Sequence, residues 1–403
     1  MIIGTIVSSH SIDGTTEILS GSIRAAQTYR SDDAAVMDTQ QVWTPYIFSQ
    51  QPIGEIYSGV FWHNVTSDGE NKTVVIIGGE LTTPNNISNL ALYQDGEWHS
   101  LGDLRGRVNS MIRLHDLLYI GGEFEGTLDT TRVTSFAIYD LASQSAQDIG
   151  GVYSSMQRLP GNINVIQAQP DGNAVYIGGN FTIVNSMQCS SVCKLDTQTR
   201  QWNEVTSGIS GQVYDIAVAS NQIAVVGDIV INNSPAYAAR TQGNSWKPML
   251  DQLNGVPTAV LNGPSEVIIG GSDSFGAYVA TWDESRISKI GNLLKQSVHI
   301  CLLMYKVAQL GPTSSIRQMS LIPIRSVASN ARYLRDTGSM LLVVGHLDVP
   351  GYGNVSAAVF DGEDWYPFVM SSKHDGAPGQ LRQIFHETTC CNVTKIISKH
   401  SFG

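Results

Sequence analysis

Val75-Ile-Ile-Gly78-Gly79-Glu-Leu81 and Leu118-Tyr-Ile-Gly121-Gly122-Glu-Phe124 are two copies of a phrase in which an apolar strand runs into glycine. Four more copies follow: Val175-Tyr-Ile-Gly178-Gly179-Asn-Phe181, Ala224-Val-Val-Gly227-Asp228, Val267-Ile-Ile-Gly270-Gly271 and Leu342-Val-Val-Gly345-His346. The first glycines are 43, 57, 49, 43 and 75 residues apart. Steps of this size are typical of a stacked unit of about four strands. We therefore expect these six glycines to occupy equivalent positions in the second strands of successive units.

A second signature recurs downstream of the glycines. Trp98, Trp202, Trp246 and Trp365 follow the first glycine of their units by 20, 24, 19 and 20 residues. Between glycine and tryptophan stand hairpin signals such as the Asp-Gly at positions 95–96. A recurrent tryptophan on the fourth strand favours packing between neighbouring units over a ligand platform.

Four strands per unit, a glycine pair and a late tryptophan are typical of kelch-type propeller blades. The sequence predicts an all-β fold, a kelch-like β-propeller of about six visible blades over residues 56–386. Residues 1–55 read as a truncated, partial β module. Residues 292–331 stretch one step to 75 residues and show no strand-turn period, so we expect an anomalous insertion. A functional insertion is one explanation, and we favour the other, sequence foreign to the native coding sequence. Residues 387–403 read as an irregular tail.

Charge and cysteine content narrow the class of protein. Acidic residues number 35 and basic residues 24, a net charge of −11, which disfavours nucleic acid or an anionic membrane surface as a partner. Cys189 and Cys193 are disulfide candidates in an oxidising compartment, with two small buried apolar side chains as the alternative. We expect no zinc site, because no second Cys/His pair lies nearby at ligand spacing.

Seven Asn-X-Ser/Thr sequons favour a secreted glycoprotein, and Asn- and Ser-rich turns are the alternative explanation. The candidate acceptors are Asn64, Asn71, Asn86, Asn180, Asn232, Asn354 and Asn392. The start of the chain does not read as a signal peptide, and no apolar run reaches the ~18–20 residues that span a bilayer. The conflict with the sequons leads us to expect that the ends of this chain are incomplete.

The repeat pattern and its closing segment resemble the fungal cortical cell-polarity marker family, which acts in bud-site selection. The closing segment runs Trp365-Tyr-Pro-Phe-Val-Met-Ser-Ser372 and then Gly376-Ala-Pro-Gly-Gln-Leu-Arg-Gln-Ile-Phe385. The phrases Tyr176-Ile-Gly-Gly-Asn-Phe-Thr182 and Cys189-Ser-Ser-Val-Cys193-Lys-Leu-Asp196 are similar as well. The resemblance covers roughly residues 40–290 and 333–386.

This resemblance implies a large type I membrane glycoprotein with a propeller ectodomain, one membrane helix and a short cytoplasmic tail. Such proteins mark cell poles and act with a membrane protein partner at the cell cortex. The family offers no catalytic, cofactor-binding or metal-binding residues to carry over. The expected function is that of a non-catalytic landmark without an evident small-molecule substrate.

Two other classes remain open, a secreted propeller enzyme and a glycan-binding lectin. A copper-radical oxidase needs two His, two Tyr and a Cys on converging loops. Only His99, His115 and His346 fall inside credible blades, and only His346 could face a central channel. A sialidase-like site needs arginines from different blades, whereas Arg105, Arg107, Arg113 and Arg132 belong to one unit and its edges.

Overall fold

The computed structural model describes residues 2–11, 17–26, 44–45, 52–65, 71–219, 222–249, 255–262, 267–273, 276–282, 287–290, 310–323, 339–360, 365–369, 381–388 and 394–400. Three strands come first, namely β1 (Ile2–Ser11), β2 (Glu17–Ala26) and β3 (Thr44–Pro45). The first two form a hairpin.

Six four-stranded antiparallel sheets follow one another along the described chain. Sheet 1 consists of β4 (Ile53–Val65), β5 (Asn71–Thr82), β6 (Ser88–Gln94) and β7 (Glu97–Ser100). Sheet 2 consists of β8 (Gly102–Leu114), β9 (Leu117–Leu128), β10 (Thr131–Asp140) and β11 (Ser145–Gln147). Sheet 3 consists of β13 (Asn162–Ala168), β14 (Ala174–Asn180), β17 (Val192–Asp196) and β18 (Trp202–Glu204).

The short strands β12 (Val152–Tyr153), β15 (Ile183–Val184) and β16 (Met187–Gln188) form a small sheet beside sheet 3. Sheet 4 consists of β19 (Ile209–Val218), β20 (Ile223–Ile231), β21 (Ser234–Gln242) and β22 (Ser245–Pro248). Sheet 5 consists of β23 (Val256–Asn262), β24 (Val267–Asp273), β25 (Gly276–Trp282) and β26 (Ile287–Ile290). Sheet 6 consists of β27 (Ser315–Pro323), β28 (Ser339–Val349), β29 (Gly353–Phe360) and β30 (Trp365–Val369).

Each of the six sheets is a meander in which each strand pairs with the next strand of the same sheet, and in sheet 3 the short strands β15 and β16 intervene between the second and third. The first strands of successive sheets lie next to one another, as the inner strands of a propeller do. We call the end of each sheet where its second strand turns into its third the upper end. The lower end is the opposite one, where the first strand turns into the second and the third strand turns into the fourth.

The hairpin of β31 (Leu381–Thr388) and β32 (Thr394–His400) lies between the last sheet and the first. Strand β31 contacts β27 and β28 on one side and β4 on the other, and β32 pairs in parallel with β3. Segments from both ends of the chain therefore meet where the ring closes. The expectation of an irregular tail over 387–403 is wrong for Glu387 and Thr388, which end β31, and for Thr394–His400, because ring closure supplies these strands with partners that local sequence does not reveal.

A β-bulge interrupts the first strand of each sheet opposite the glycine phrase of the second strand. The bulged residues are Tyr57, Asn109, Asn164, Tyr214, Thr258 and Arg317. In four sheets the residue before the bulge pairs with the second glycine, as Val108 does with Gly122. In sheets 4 and 6 the same position pairs with Gly227 and Gly345.

The expected equivalence of the six first glycines is therefore wrong for two of them. Gly227 and Gly345 align with the second glycine of the other phrases, and Val226 and Val344 occupy the place of the first. The reason is steric. A Cβ at the second position would collide with a main-chain oxygen of the first strand, such as that of Arg107 opposite Gly122. The first position faces only apolar side chains of the next sheet, which can make room for valine.

Side chains at the bulges connect the inner strands of neighbouring sheets. The Oγ of Ser58 accepts the N–H of Met111 at 2.6 Å, and the Oγ of Ser110 accepts the N–H of Ile166 at 3.0 Å. From sheet 3 to sheet 4, Asn164 donates to the carbonyl of Val213 at 2.7 Å.

The remaining two interfaces carry the same two kinds of hydrogen bond, in which a side chain either accepts a main-chain N–H or donates to a main-chain carbonyl. Between sheets 4 and 5, Asp215 accepts the N–H of Val260 at 2.9 Å. Between sheets 5 and 6, Thr258 donates to the carbonyl of Ile316 at 2.7 Å. Each of the five interfaces between sheets 1 and 6 thus carries a polar bond that fixes the relative height of its two inner strands.

The core lies between the sheets, and the tryptophans of the fourth strands belong to it. The Trp202 ring lies 5.0 Å from that of Phe136 in sheet 2, and its Nε1 donates to the carbonyl of Ile149 at 3.3 Å. Trp246 shares a buried cluster with sheet 3, and Trp365 shares one with sheet 5. The packing role expected for these three tryptophans is confirmed.

Strand β27 falls inside residues 292–331, so the expectation that this whole segment lacks strand structure is wrong. Ile316 and Met319 are buried three residues apart, and the bulge lies between them. A bulge changes the apolar spacing from two to three, and this hides the strand from an alternation search. Most of the remaining segment lies outside the described residues, and its foreign origin stays a prediction.

A repeated phrase would have revealed this strand. In each sheet, a glycine or serine stands two residues before the buried residue that precedes the bulge. The six copies are Gly54-Glu-Ile56, Gly106-Arg-Val108, Gly161-Asn-Ile163, Gly211-Gln-Val213, Gly255-Val-Pro257 and Ser314-Ser-Ile316.

Substitution of the two glycines in sheet 2 should separate their roles. Gly122→Ala is expected to lower the free energy of unfolding by about 3 kcal/mol, because its Cβ meets main chain that cannot move aside. Gly121→Ala should cost about 1–2 kcal/mol, because Ile163 and Ile166 can shift. Urea denaturation followed by tryptophan fluorescence measures both. An equal or larger loss for Gly121→Ala would contradict the assignment.

Candidate functional site

A loop over residues 153–160 stands at the upper end of sheet 3, facing the long first hairpin of sheet 2. Its shape is fixed by the Ser154 N–H bonded to the Leu159 carbonyl at 2.9 Å and the Arg158 N–H bonded to the Ser155 carbonyl at 3.0 Å. The guanidinium of Arg158 lies 5.3 Å from the centre of the Tyr153 ring. This ordered loop nevertheless leaves Met156 and Leu159 in solvent.

An open cleft of about 600 Å³ separates this loop from β8 and β9. Arg105, Glu123 and Glu125 supply charges of both signs, and Leu159 and Pro160 supply apolar surface. The lining contains no histidine or cysteine, and its one hydroxyl, that of Ser154, donates to the Leu159 carbonyl at 3.3 Å. Among its eight lining residues there is no nucleophile–base pair.

The four arginines considered for a sialidase-like site do not converge. Arg105 and Arg107 lie near the upper end of β8, and Arg107 forms an exposed ion pair with Glu123 at 3.0 Å. Arg113 lies near the lower end of the same strand, where it donates to the His115 carbonyl at 2.7 Å. Arg132 is exposed on β10.

The histidines considered for an oxidase also stay apart. His99 is exposed on β7, His115 is exposed in the lower turn of sheet 2, and His346 lies half-buried on β28 opposite Ser315. Across the described ranges, no three His, Cys, Asp or Glu side chains come together as ligands for a metal ion.

Cys189 and Cys193 are joined by a disulfide in the structure, with their Cα atoms 6.1 Å apart. Cys189 follows β16, Cys193 lies on β17, and both are buried in the core between sheets 2 and 3. The bridge therefore connects the upper turn of sheet 3 to its third strand.

The candidate glycan acceptors are unevenly distributed. Asn86, Asn180, Asn232 and Asn354 are exposed, and all four lie at the upper ends of their sheets. Asn64 and Asn71 belong to strand ends at the lower end of sheet 1, by register. Asn392 lies outside the described residues.

Sequence reasoning missed the side chains that connect the sheets, including Asp215. Its Oδ1 accepts the N–H of Ile216 and its Oδ2 that of Val260, each at 2.9 Å. Removal from water between sheets 4 and 5 raises the pKa of Asp215 from 3.8 to about 7, although both amide bonds act to lower it. Ser58 and Ser110 hold the equivalent positions in sheets 1 and 2.

A match to the Rax2 C-terminal beta propeller domain covers residues 136–394, well over half of the chain. The chain belongs to the Rax2 family. Within the Rax2 match lie sheets 3 to 6 and the strand β31, together with the disulfide and the acceptors Asn180, Asn232 and Asn354.

Two curated Rax2-related proteins are fungal. Polarized growth protein L1 of a Phoma species is 25% identical over 335 residues, which are 80% of this chain and 24% of that protein. Polarized growth protein RAX2 of Candida albicans is 22% identical over 329 residues, 75% of this chain and 23% of that protein. The chain spans about a quarter of the length of these relatives.

Among solved structures, the extracellular domain of a hybrid two-component system from B. thetaiotaomicron overlays with a TM-score of 0.48 and 13% identity. It covers 87% of this chain and 37% of that chain. At that distance the likeness has no bearing on function. In the described part of this Rax2 chain, no helix is long and apolar enough to cross a bilayer.

The stability of the chain should respond to the titration of Asp215. Its pKa is higher in the folded state, so the unfolded chain loses the proton near pH 4 while the folded chain keeps it until about pH 7. The free energy of unfolding should therefore fall as the pH rises from about 4 to about 7. Asp215→Ser should remove this contribution to the pH dependence of stability. Urea denaturation at a series of pH values tests the difference. Parallel profiles for the two proteins would contradict the raised pKa.

The disulfide should form when the chain passes through an oxidising compartment. We expect a peptide that links Cys189 to Cys193 in a non-reduced digest of secreted protein. Replacing both cysteines with serine should lower the free energy of unfolding by about 2 kcal/mol, the value for closing so short a loop. Free thiols at both positions in folded, secreted protein would contradict the prediction.

Proposed function

We propose that this chain is a non-catalytic propeller ectodomain of a cell-surface landmark protein that marks cell poles for polarized growth and bud-site selection. The observation that carries the proposal is the match of residues 136–394 to the Rax2 propeller, together with two relatives named as polarized growth proteins. Because the chain spans about a quarter of those relatives, the activity of the whole protein is part of the proposal.

The chemistry of the upper face supports this proposal. The cleft beside the 153–160 loop combines separated charges with apolar surface and contains no nucleophile–base pair among its lining residues. Upper loops that differ between sheets, carried by a regular ring, are a common basis for recognition by propeller domains. The charged side chains that sheet 2 contributes to this cleft, Arg105, Glu123 and Glu125, can hold a protein partner by many weak contacts, as a positional marker requires.

The proposed location is the outer side of the plasma membrane, as part of a longer glycoprotein that a membrane helix anchors. The proposed partner is another membrane protein at the cell cortex. The sequons and the disulfide within residues 71–360 support an extracellular setting.

Deletion of the gene in its source organism is expected to misplace growth or bud sites while the growth rate stays normal. A copy of the gene that is complete except for residues 56–388 should reach the cell surface but fail to restore the placement of growth or bud sites. Scar staining and a fluorescent tag measure placement and localisation. Restored placement by the truncated copy would refute a role for the propeller.

Two separate assays test whether the chain is instead an enzyme or a lectin. Secreted, folded chain should show no copper-dependent oxidation of alcohols and no binding on a glycan array. A robust signal in either assay, abolished in heat-unfolded protein, would replace the landmark proposal with that class.

A further inference from the structure

Large apolar side chains are exposed at one end of this molecule. Among the described residues they are Ile53, Met156, Leu159, Tyr352 and Tyr237, with exposed fractions of 79%, 78%, 60%, 45% and 43%. The first four lie at the upper ends of their sheets, and Tyr237 lies in the upper half of β21. Met156 and Leu159 share one loop, and exposed apolar groups that lie together in this way mark a surface suited to contact with another molecule.

The four exposed sequon asparagines lie at the same end. Asn86 and Asn232 belong to the upper turns of sheets 1 and 4, Asn180 ends the second strand of sheet 3, and Asn354 is the second residue of the third strand of sheet 6. Asn86 and Asn232 have φ of 63° and 50°, the left-handed conformation of turn residues.

The relation between sequon and apolar group is closest at sheet 3. The sequon threonine, Thr182, donates through Oγ1 to the Ser154 carbonyl at 3.0 Å, and its N–H is bonded to the Tyr153 carbonyl at 2.9 Å. These bonds fix the Asn180 sequon against the loop that exposes Met156 and Leu159. A sugar on Asn180 would therefore start beside this apolar surface.

In sheets 1, 4 and 6, sequon and exposed apolar side chain are related by their positions along the chain and the strand register. Tyr352 stands two residues before Asn354 in the upper turn of sheet 6. Ile53 pairs with Thr82, the last residue before the turn that contains Asn86. Tyr237 lies on the strand that leaves the Asn232 turn.

The lower end of sheets 2 and 3 has neither feature. Its turns are closed by aspartates: Asp140 accepts the N–H groups of Ala142 and Ser143, and Asp196 accepts those of Gln198 and Thr199. Among the sequon asparagines that the structure describes, Asn64 and Asn71 in sheet 1 lie at the lower end.

We propose that N-linked glycans at Asn86, Asn180, Asn232 and Asn354 cover the exposed apolar side chains of the upper face. Each amide nitrogen bonds to the anomeric carbon of a sugar from a lipid-linked oligosaccharide donor, the lipid pyrophosphate leaves, and one amide proton is released. The C–H faces of the first sugars then remove apolar surface from water, and their hydroxyls keep the face soluble. The proposal rests on the export of the chain.

The full chain, secreted from a fungal host behind a heterologous signal sequence, provides the test. Enzymatic deglycosylation in ¹⁸O water followed by mass spectrometry should show occupancy at all four upper asparagines. Complete enzymatic removal of glycans from the folded protein should then raise binding of an apolar dye by about twofold and promote self-association.

Matched variants connect that response to specific side chains. A Met156→Ser/Leu159→Ser protein, deglycosylated in the same way, should show a smaller increase in dye binding than the deglycosylated wild type. Asn180→Gln should reproduce part of the increase, and Asn64→Gln, at the lower end, should not. Because the enzyme acts on protein that is already folded, the test survives poor secretion of any single variant.

The outcomes separate two kinds of failure. Absence of glycan at every sequon of the secreted chain would refute the glycan cover and leave the cell-surface proposal, which the placement assay tests, untouched. Occupancy confined to Asn64 and Asn71 would refute the upper glycan cover alone. Occupied upper sites whose removal changes neither dye binding nor association would also overturn the proposal.

Discussion

The contact between a second-strand glycine and the bulge opposite it is the constraint on which the ring depends. At Gly79, Gly122, Gly179, Gly227 and Gly345 a Cβ would strike a main-chain oxygen of the first strand, so each inner strand comes closer than any side chain allows. The bulge in turn directs one or two polar side chains toward the neighbouring sheet. Asn109 shows the result, since it donates to the Ile163 carbonyl at 2.9 Å. One local geometry thus serves both the sheet and its junction with the next.

The rest of the fold follows from this regular inner ring. Inner strands at a fixed height bring the apolar faces of neighbouring sheets together, and fourth-strand tryptophans such as Trp202 fill the outer part of the gap. Arg240 adds a less usual contact, with its guanidinium 3.8 Å from the centre of the Trp282 ring between sheets 4 and 5. Because the contacts that stabilise the fold lie within and between the sheets, the upper loops can differ from one sheet to the next. The 153–160 loop and the exposed sequons are found there, where change costs little.

Part of the surface chemistry could be predicted from the sequence. Sequons and the Cys189–Cys193 pair are local patterns, and their residues could be named in advance. Which sequons share a face could not be, because Asn86 and Asn354 are far apart in the chain and share an end only through the repeated meander. The cleft beside Arg105 was equally hidden, since its walls come from two sheets. The resemblance to polarity markers came from phrases along the chain, and the match over residues 136–394 agrees with it.

The sequence by itself determined the repeat, the all-β class, the approximate number of sheets and the packing role of the tryptophans, because these depend on spacings within one unit. Only the tertiary structure decided which glycine is indispensable, as that depends on the oxygen facing it from another strand. It also revealed Asp215, whose pKa is raised by its burial between sheets 4 and 5. The closing hairpin is the clearest case. Strand β32 pairs with β3, about 350 residues away in the chain. No local pattern encodes a partner at that distance, because only the closed ring places the two segments side by side.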